Sequence, residues 1–286
     1  MDANVKRVWP TPPEGQTYVT QSLRGGEYIS TGYFPADKVD RHGRGRTSHN
    51  CTGATSLFFD LDLLGLYDAA REARGHVLEA RAAERKAKLY AEDPEVVAGL
   101  RLLLLEELVP CVERAVGLEP TLVLDSGWGF HIHYAVAEDM APELLALQQI
   151  TAALIAEANR LAFEVGRSFA PALKMSSAYD ATHDVGARLA RMPGSTNTKA
   201  PGNPREVQVV QAAPTVLERT KLAELREAYL RPGVLADDGQ DDQAVPKPRR
   251  PKDASKVEVD FRAMRLSDGR VWQTVADALS PGERTK

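Results

Sequence analysis

Two aspartates alternate with apolar residues in the segment FFDLDL at positions 58–63. Successive side chains of a β-strand point to opposite faces, so Asp60 and Asp62 would share one face, which also carries Phe58 and Leu64. Two carboxylates about 6–7 Å apart repel each other and are costly to desolvate unless a cation lies between them. Because such oxygen ligands suit Mg²⁺ or Mn²⁺, the pattern predicts a divalent-metal site. An amphipathic strand whose outer face meets water would have the same pattern.

A glycine-rich turn followed by two histidines lies in SGWGFHIHY, positions 126–134. Two glycines within three residues let a ligand approach the backbone closely, and the Ser126 hydroxyl with neighbouring N–H groups can hold a phosphate. His131 and His133 then share one face of the second strand of a predicted hairpin. The same pair of imidazoles could instead ligate zinc. For His133 alone, a structural role is the favoured interpretation.

A third cluster, DATHDVGARLARMPGSTNTK, occupies positions 180–199. From 185 to 205 the chain has four basic residues and no acidic one. A Pro-Gly-Ser-Thr-Asn turn flanked by cations can hold a phosphate, with arginine binding through two N–H groups and lysine as a point charge. An ordinary surface loop with solvated arginines is the alternative. Asp180 and Asp184, four residues apart, are also suited to capping a helix.

A smaller basic patch precedes the aspartate segment and contains Lys38, Arg41, Arg44 and Arg46. Arginines spaced by glycines can follow a backbone of phosphates. A solvated loop would have the same composition.

The elements that must position these clusters form a mixture of strands and helices. The segments QTYVTQSL and GEYISTGYF predict strands, and helical spacing over 68–116, broken at Asp93-Pro94, predicts two helices. A hairpin is expected within 120–139, and 141–168 is the longest predicted helix. Positions 175–204 are expected to be mostly loop, followed by a strand at 205–211 and a helix near 216–230.

The composition is that of a soluble globular protein, with 43% apolar and 27% charged residues and no run of 18 uninterrupted apolar residues. Two cysteines exclude a disulfide framework within the chain and a cysteine-rich zinc site. The N-terminal segment MDANVKRVWPTPPEG lacks the apolar stretch of a signal peptide, so we expect a cytoplasmic protein without a membrane partner. The net charge of −4 counts, on average, against a nucleic-acid partner.

We divide the chain into a main domain at 1–232, which contains the helical insertion at about 68–116, and two further segments. Positions 233–257 have acidic and basic blocks and almost no large apolar residues, which is typical of a flexible charged linker. The segment 258–286 is amphipathic but too short for a core of its own, and we expect it to pack on the main domain or to begin a further module.

Taken in order, the three clusters resemble the motifs of the archaeo-eukaryotic primase superfamily, specifically the primase-polymerases of phages, plasmids and other mobile elements. The first family motif is an apolar strand ending in Asp-x-Asp, matched by FFDLDL. The second is Ser-Gly-x-Gly-x-His followed by an aromatic residue, matched by SGWGFHIHY. The third leads into Arg-x-x-Arg-x-Pro-Gly-Thr-x-Asn-x-Lys, matched by RLARMPGSTNTK with Ser195 in place of threonine. The resemblance covers roughly residues 20–210.

The resemblance implies a catalytic site with two Mg²⁺ or Mn²⁺ ions. Asp60 and Asp62 would hold the ions with a third aspartate, Asp180 or alternatively Asp184, and His131 would join them as a catalytic residue. The implied nucleotide-binding residues are Ser126, Gly127, His131, Arg188, Arg191, Asn197 and Lys199. The DNA-binding residues would be Arg41, Arg44 and Arg46.

The fold implied by the resemblance is α+β, a two-lobed primase-polymerase core with an RRM-like antiparallel sheet and flanking helices. The implied activity is a template-directed DNA primase and DNA polymerase, with single-stranded template and primer, nucleoside triphosphates and a replicative helicase as partners. A prokaryotic host or a phage would encode it. Two alternatives stay open: a non-catalytic replication-initiator module that only grips DNA, and a metal-dependent phosphohydrolase that uses the two histidines.

Overall fold

The computed structural model describes residues 3–23, 25–40, 42–73, 75–169 and 185–230. Five of the predicted features lie outside the described residues: Arg41, Asp180, Asp184, the linker at 233–257 and the segment at 258–286. The described residues form a mixed α+β structure with antiparallel sheets, which confirms the predicted fold class at that level.

The first sheet, here called the N-terminal sheet, is built on a long hairpin. Strands β1 (Gln16–Leu23) and β2 (Gly26–Pro35) pair antiparallel, with the glycines at 25 and 26 at their turn. On its other side β2 pairs with β3 (Gly53–Ala54) and with β7 (Leu189–Arg191). This last pairing joins segments that are far apart in the sequence, so it brings the basic third cluster against the hairpin.

The second sheet, here called the central sheet, carries the aspartates and the histidines. Strand β4 (Ser56–Asp62) and strand β5 (Leu122–Asp125) both pair antiparallel with β6 (Gly129–Val136), which lies between them. Strand β10 (Gln208–Ala212) extends the sheet beyond β5, and the short β11 (Val216–Leu217) runs parallel to the end of β6. Strands β8 (Thr196–Asn197) and β9 (Arg205–Glu206) form a separate two-stranded ladder.

Thr55 joins the two sheets where the chain passes from β3 into β4. Its N–H donates to the Thr31 carbonyl of the N-terminal sheet, and its carbonyl accepts from the Val136 N–H of the central sheet, both at 3.0 Å. One residue therefore fixes the position of the aspartate strand relative to the hairpin.

Helices cover one face of the central sheet. They are α2 (Leu63–Ala73), α3 (Ala82–Tyr90), α4 (Pro94–Leu103), α5 (Val109–Val116), α6 (Leu144–Phe169) and α7 (Arg219–Tyr229), with a π-helical turn at Leu104–Leu108 and a 3₁₀ turn at Glu138–Met140. The alternate residues of β4 that face these helices, Leu57, Phe59 and Leu61, are fully buried in the main core. The hydrophobic effect thus fixes which face of β4 is left for the aspartates.

The opposite face of the central sheet is only partly covered. A second core there packs the short helix α1 (Ala3–Val8) and Trp9 against Phe58, Leu122, Leu124 and Ala190. The remainder of this face carries Asp60, Asp62 and His131. The geometry therefore separates an apolar half of the face, which anchors the sheet, from a polar half, whose partly exposed surface around Asp60 and Asp62 is here called the cleft.

Several predicted elements agree with the structure, and others need correction. The break at Asp93-Pro94 is confirmed, because the Asp93 carboxylate accepts the Glu95 N–H at 2.8 Å and Pro94 is the first helical residue. However, the described part of the region from 63 to 116 holds three separate helical stretches instead of two, and the first begins directly after β4. Leu64 was predicted to lie on the aspartate face of the strand, but it is in α2 and buried in the main core.

The C-terminal part of the predicted pattern is more broken than expected. Within the predicted loop, Leu189–Arg191 and Thr196–Asn197 are strands. The single strand expected at 205–211 is divided at the buried Val207 into β9, which pairs with β8, and β10, which pairs with β5. The N-terminal helix α1 was not predicted.

Candidate functional site

The cross-strand register sets Asp60 beside His131. In the β4–β6 ladder, Asp60 is opposite His131 and Phe58 is opposite His133, so these four side chains share one face. The Phe58 ring lies 5.1 Å from the ring of His131 and 4.9 Å from that of His133. The aromatic packing fixes both imidazoles, and the register places both histidines on the aspartate face.

His131 is a neutral donor that points at Asp60. Its Nδ1 accepts the backbone N–H of Arg191 at 3.2 Å, so the proton of the neutral ring must be on Nε2. Nε2 lies 3.7 Å from Asp60 Oδ1, longer than a hydrogen bond. Burial, followed by the charges of Arg191 and Arg188, lowers the pKa of His131 to about 3. The imidazole is therefore uncharged at neutral pH and presents an N–H towards the cleft.

Asp62 both caps a helix and faces the cleft. Its Oδ1 accepts the Leu64 N–H at 3.0 Å, which makes Asp62 the N-cap of α2. Its Oδ2 lies 4.0 Å from Nζ of Lys86, on α3. Desolvation by the surrounding protein raises the pKa of Asp62, and the neighbouring charge of Asp60 raises it further, although 56% of the side chain is exposed. Two carboxylates close enough to oppose each other's ionisation are a natural place for a cation.

Asp60 is paired with an arginine of the third cluster. Arg188 Nη2 lies 3.5 Å from Asp60 Oδ2, and the Arg188 guanidinium lies over the Phe58 ring at 5.0 Å. The backbone carbonyl of Arg188 accepts the Thr31 N–H, which holds this segment against β2. The fold therefore brings the first and third clusters together.

Arg191 is the most deeply buried cation of the site, at 2% exposure. One guanidinium nitrogen donates to the Gly25 carbonyl, and the group lies over the ring of Tyr28 at 4.4 Å from the ring centroid. The other terminal nitrogen, Nη2, is buried and has no hydrogen-bond partner among the described residues. An unpartnered buried N–H costs about 1–3 kcal/mol, which an anionic oxygen would recover. Desolvation lowers the pKa of Arg191, while Asp60 is among the neighbours that oppose the shift.

Lys199 interacts with both carboxylates and with two other cations of the site. Desolvation lowers the pKa of Lys199, and the charges of Arg191 and Lys86 lower it further, while Asp62 and Asp60 act in the opposite direction. Each of these charges is therefore close enough to Lys199 to affect its protonation. Among the described residues, Lys86 and Arg188 therefore form ion pairs with the two carboxylates, and Arg191 and Lys199 interact with them electrostatically.

No family model, curated protein or solved structure matches the chain. The residues of the site must therefore carry the functional argument by themselves.

The turn at 126–128 is held by contacts within the protein. The Ser126 N–H donates to the Gly129 carbonyl at 2.9 Å, and the Gly127 N–H donates to Asp125 Oδ1 at 2.7 Å. These two N–H groups are therefore already used, and the Ser126 hydroxyl stays the predicted phosphate ligand of this turn. Gly127 has φ +90°, and a Cβ at Gly127 would lie 3.0 Å from the Arg205 side chain.

Asn197 positions other residues of the site through both ends of its amide. Its Nδ2 donates to the Ser126 carbonyl at 2.6 Å, and its Oδ1 accepts the Lys199 N–H at 3.1 Å. Both ends of the amide are used in this way, so Asn197 ties the turn to the lysine. The predicted contact of Asn197 with a nucleotide stays a prediction.

The donor set fits hard divalent cations. Asp60 and Asp62 supply carboxylate oxygens, the ligands that Mg²⁺ and Mn²⁺ prefer. Within the described ranges, no group of three His, Cys, Asp or Glu side chains is arranged to hold a metal ion. The predicted third carboxylate, Asp180 or Asp184, lies outside them.

The two histidines do not form a zinc pair in this arrangement. His133 is fully buried, and its Nδ1 lies 3.2 Å from the Ser56 hydroxyl. Its ring contacts Trp9 at 5.0 Å, and burial holds its pKa well below the usual range. The two imidazole ring centroids are 6.4 Å apart. These contacts support the structural interpretation of His133.

Sequence reasoning missed the residues that the helical insertion brings to the site. Lys86 and Tyr90 lie on α3, and Tyr90 packs on Trp128 with ring centroids 4.6 Å apart. From α4, Arg101 forms an ion pair with Asp125 and lies 3.4 Å from the Gly127 carbonyl. A lysine and a tyrosine four residues apart on a helix were the available signal, but nothing in the sequence indicated which way the helix faces.

The basic patch near the N-terminus is only partly available to a ligand. Arg44 is 86% exposed, and its ion pair with Asp40 is a long one of 3.9 Å. Arg46 instead donates to the Ala187 carbonyl and so holds its loop against the third cluster.

None of the helices in the described part of the chain combines the length and the apolar composition that a membrane-spanning helix needs.

Proposed function

We propose that the chain is a template-directed primase-polymerase of the archaeo-eukaryotic primase type, which joins nucleoside triphosphates on single-stranded DNA. One observation carries the proposal: among the described residues, Lys86 and Arg188 pair with Asp62 and Asp60, and Arg191 and Lys199 are close enough for the charges of these carboxylates to affect their pKa values. Counted over these described side chains alone, four positive and two negative charges leave a net charge of +2 before any metal ion is added. Such an excess favours a polyanion, and the unpartnered N–H of Arg191 favours an anionic oxygen.

The protein groups divide into ion-holding and phosphate-holding sets. Asp60 and Asp62 would hold divalent cations, which when bound neutralise a triphosphate and activate an attacking hydroxyl. His131 would donate its Nε2–H to a phosphate oxygen, because the ring is neutral and its other nitrogen is occupied. Arg191 and Lys199 would bind further phosphate oxygens. Preorganised donors of this kind contribute most of the stabilisation in phosphoryl chemistry.

The fold is compatible with this proposal. In this interpretation, the central sheet with its helices is the RRM-like core, and the N-terminal sheet is the smaller lobe. Single-stranded template and primer would lie near the exposed Arg44, and a replicative helicase would be a partner of the whole protein. The buried position of His133 disfavours the zinc-dependent phosphohydrolase.

Primer extension and primer-free synthesis with labelled nucleotides test the proposal. The full chain with Mg²⁺ or Mn²⁺ should incorporate nucleotides on a single-stranded template, and Asp60→Ala plus Asp62→Ala should abolish incorporation. Asp37→Ala is the control, since the Asp37 carboxylate is 77% exposed and lies in a different loop. Incorporation that persists in the double variant would overturn the mechanism. Template binding without any incorporation by the wild type would instead support the non-catalytic initiator.

A further inference from the structure

Two arginines lie against the glycine-rich turn at 126–128, outside the ion-holding and phosphate-holding sets. Arg101 comes from α4, and Arg205 comes from β9, where it pairs with Asn197 of β8. A Cβ at Gly127 would lie 3.0 Å from the Arg205 side chain and 3.2 Å from that of Asn197, so the turn packs directly against the β8–β9 ladder. The fold thus brings one arginine to the turn from the helical insertion and another from this ladder.

Arg101 is held in place by the turn. Its guanidinium forms an ion pair with Asp125 and lies 3.4 Å from the Gly127 carbonyl, while Asp125 accepts the Gly127 N–H at 2.7 Å. Burial, followed by the positive charge of Arg205, lowers the pKa of Arg101 to about 10. Among these described side chains, the two guanidinium groups repel each other, and only one carboxylate offsets their charge.

Arg205 stacks on a tryptophan of the turn. Its guanidinium lies 4.3 Å from the centroid of the Trp128 ring, and its buried Nε has no hydrogen-bond partner in the described part of the chain. The buried indole Nε1 of Trp128 also lacks a partner among these residues. Burial lowers the pKa of Arg205. Buried N–H groups without an acceptor are costly, which favours an anionic ligand beside Arg205.

Both guanidinium groups are preorganised for an anion. Arg205 is partly exposed and stacks on Trp128, whereas Arg101 is fixed by Asp125 with 21% of its side chain exposed. An arginine that other contacts already hold loses less conformational entropy when it binds, and its planar group of donors matches two oxygens of a phosphate. The pair is therefore suited to a phosphate group.

Trp128 connects this pair of arginines to the cleft. Its ring contacts Arg205 and also packs against Tyr90 of α3, with ring centroids 4.6 Å apart. Lys86, four residues before Tyr90 on the same helix, lies 4.0 Å from Asp62. Continuous packing therefore leads from Arg205 to the aspartates, and a ligand that carries several phosphates suits two such neighbouring sites.

We propose that Arg101 and Arg205 form a second anion subsite, which binds one phosphate group in addition to those held by Arg191 and Lys199. The inference rests on the proposed function, because the substrates of that reaction supply the phosphate. It is either the terminal phosphate of the nucleoside triphosphate or a backbone phosphate of the single-stranded DNA.

Removing the charge of Arg205 tests the proposal without breaking the ion pair between Arg101 and Asp125. Arg205→Gln and, as a second variant, Arg205→Met keep an unbranched stem against Trp128. Arg226→Gln is the matched control, because Arg226 is exposed on α7. Each full-length variant is titrated in Mg²⁺ with dATP and with dADP, and with a labelled single-stranded oligodeoxynucleotide at several salt concentrations. Thermal unfolding checks that each variant is folded.

The two sources of the phosphate give different results. Each contact with a backbone phosphate contributes about 0.7 to the slope of log affinity against log salt concentration for single strands. If the phosphate belongs to the strand, both Arg205 variants should reduce the slope by about 0.7. If it is the terminal phosphate of the nucleotide, they should weaken dATP binding about tenfold or more and leave dADP binding unchanged. Arg226→Gln should behave like the wild type in both titrations.

Two results would overturn the subsite alone. One is a folded Arg205 variant that keeps both the wild-type slope and the wild-type preference for dATP over dADP. The other is an equal loss of affinity for dATP, dADP and the oligonucleotide with an unchanged slope, because that pattern would trace the effect to a disturbed turn. A wild type that binds neither dATP nor the oligonucleotide would instead overturn the proposed function.

Discussion

Acidification should destabilise this fold through its buried histidines, and His133 allows the effect to be isolated. The imidazole of His133 is fully buried between Trp9 and Phe58, and burial holds its pKa well below the usual range. The unfolded chain binds a proton at this position near pH 6.5, whereas the folded chain does not. Between the two pKa values, the free energy of unfolding therefore falls as the pH falls.

The magnitude follows from linkage. A histidine that stays neutral in the fold lowers the free energy of unfolding by about 1.4 kcal/mol for each pH unit below 6.5. Between pH 7 and pH 5 the free energy of unfolding therefore falls by about 2 kcal/mol. His131, with a pKa lowered to about 3, should contribute a similar amount. His133→Phe keeps a ring against the two aromatic neighbours and removes the titrating group. The loss of stability between pH 7 and pH 5 should thus be about 2 kcal/mol smaller in the variant than in the wild type.

Urea unfolding of the full chain at pH 7, 6 and 5 measures this difference. The comparison uses the change with pH in each protein, so the lost contact between His133 and the Ser56 hydroxyl does not enter. His76→Gln is the control, because His76 lies on the surface. Equal pH dependence in His133→Phe and the wild type would show that the imidazole takes up its proton within the fold, which would refute the burial argument.

Three further predictions concern the turn, the buried arginine and the donor histidine. Gly127→Ala should lower the free energy of unfolding by about 1–3 kcal/mol, because Gly127 has a φ of +90°. Gly65→Ala, at a helical position with open space around it, should raise the free energy of unfolding by up to about 1 kcal/mol. Urea unfolding measures both changes, and changes of the same sign would contradict the prediction. Arg191→Lys should weaken inorganic triphosphate binding in Mg²⁺ by about tenfold or more, since lysine loses the planar pair of donors, and calorimetry showing wild-type affinity would remove Arg191 from the phosphate site. Nitrogen NMR should find His131 neutral and protonated on Nε2 at pH 5; a proton on Nδ1 would contradict the contact with Arg191.

Local patterns in the sequence predicted the elements that carry the site. Alternation placed Asp60 on a strand face, and turn chemistry predicted the hairpin that carries His131. The helix break at Asp93-Pro94 also followed from local rules, because capping and proline geometry involve only neighbouring residues. Each of these features depends on a few adjacent positions.

Long-range packing decided what the sequence did not predict. The pairing of β7 with β2 brings Arg191 under the hairpin turn, and no periodicity reports a partner so distant in the sequence. The direction in which α3 faces, and hence the approach of Lys86 to Asp62, depends on burial of the rest of the insertion. Sequence reasoning also assigned N–H groups of the glycine-rich turn to a phosphate, because it could not show that those of Ser126 and Gly127 already donate within the protein.

The claim that this cleft is a metal-dependent nucleotide site is tested most directly by calorimetric titration of the full chain with dATP, with and without Mg²⁺. We expect saturable binding in Mg²⁺ that weakens at least tenfold when the ion is chelated or when Asp60→Asn and Asp62→Asn remove both carboxylate charges. Equal dATP affinity with and without Mg²⁺, retained in the double variant, would contradict it.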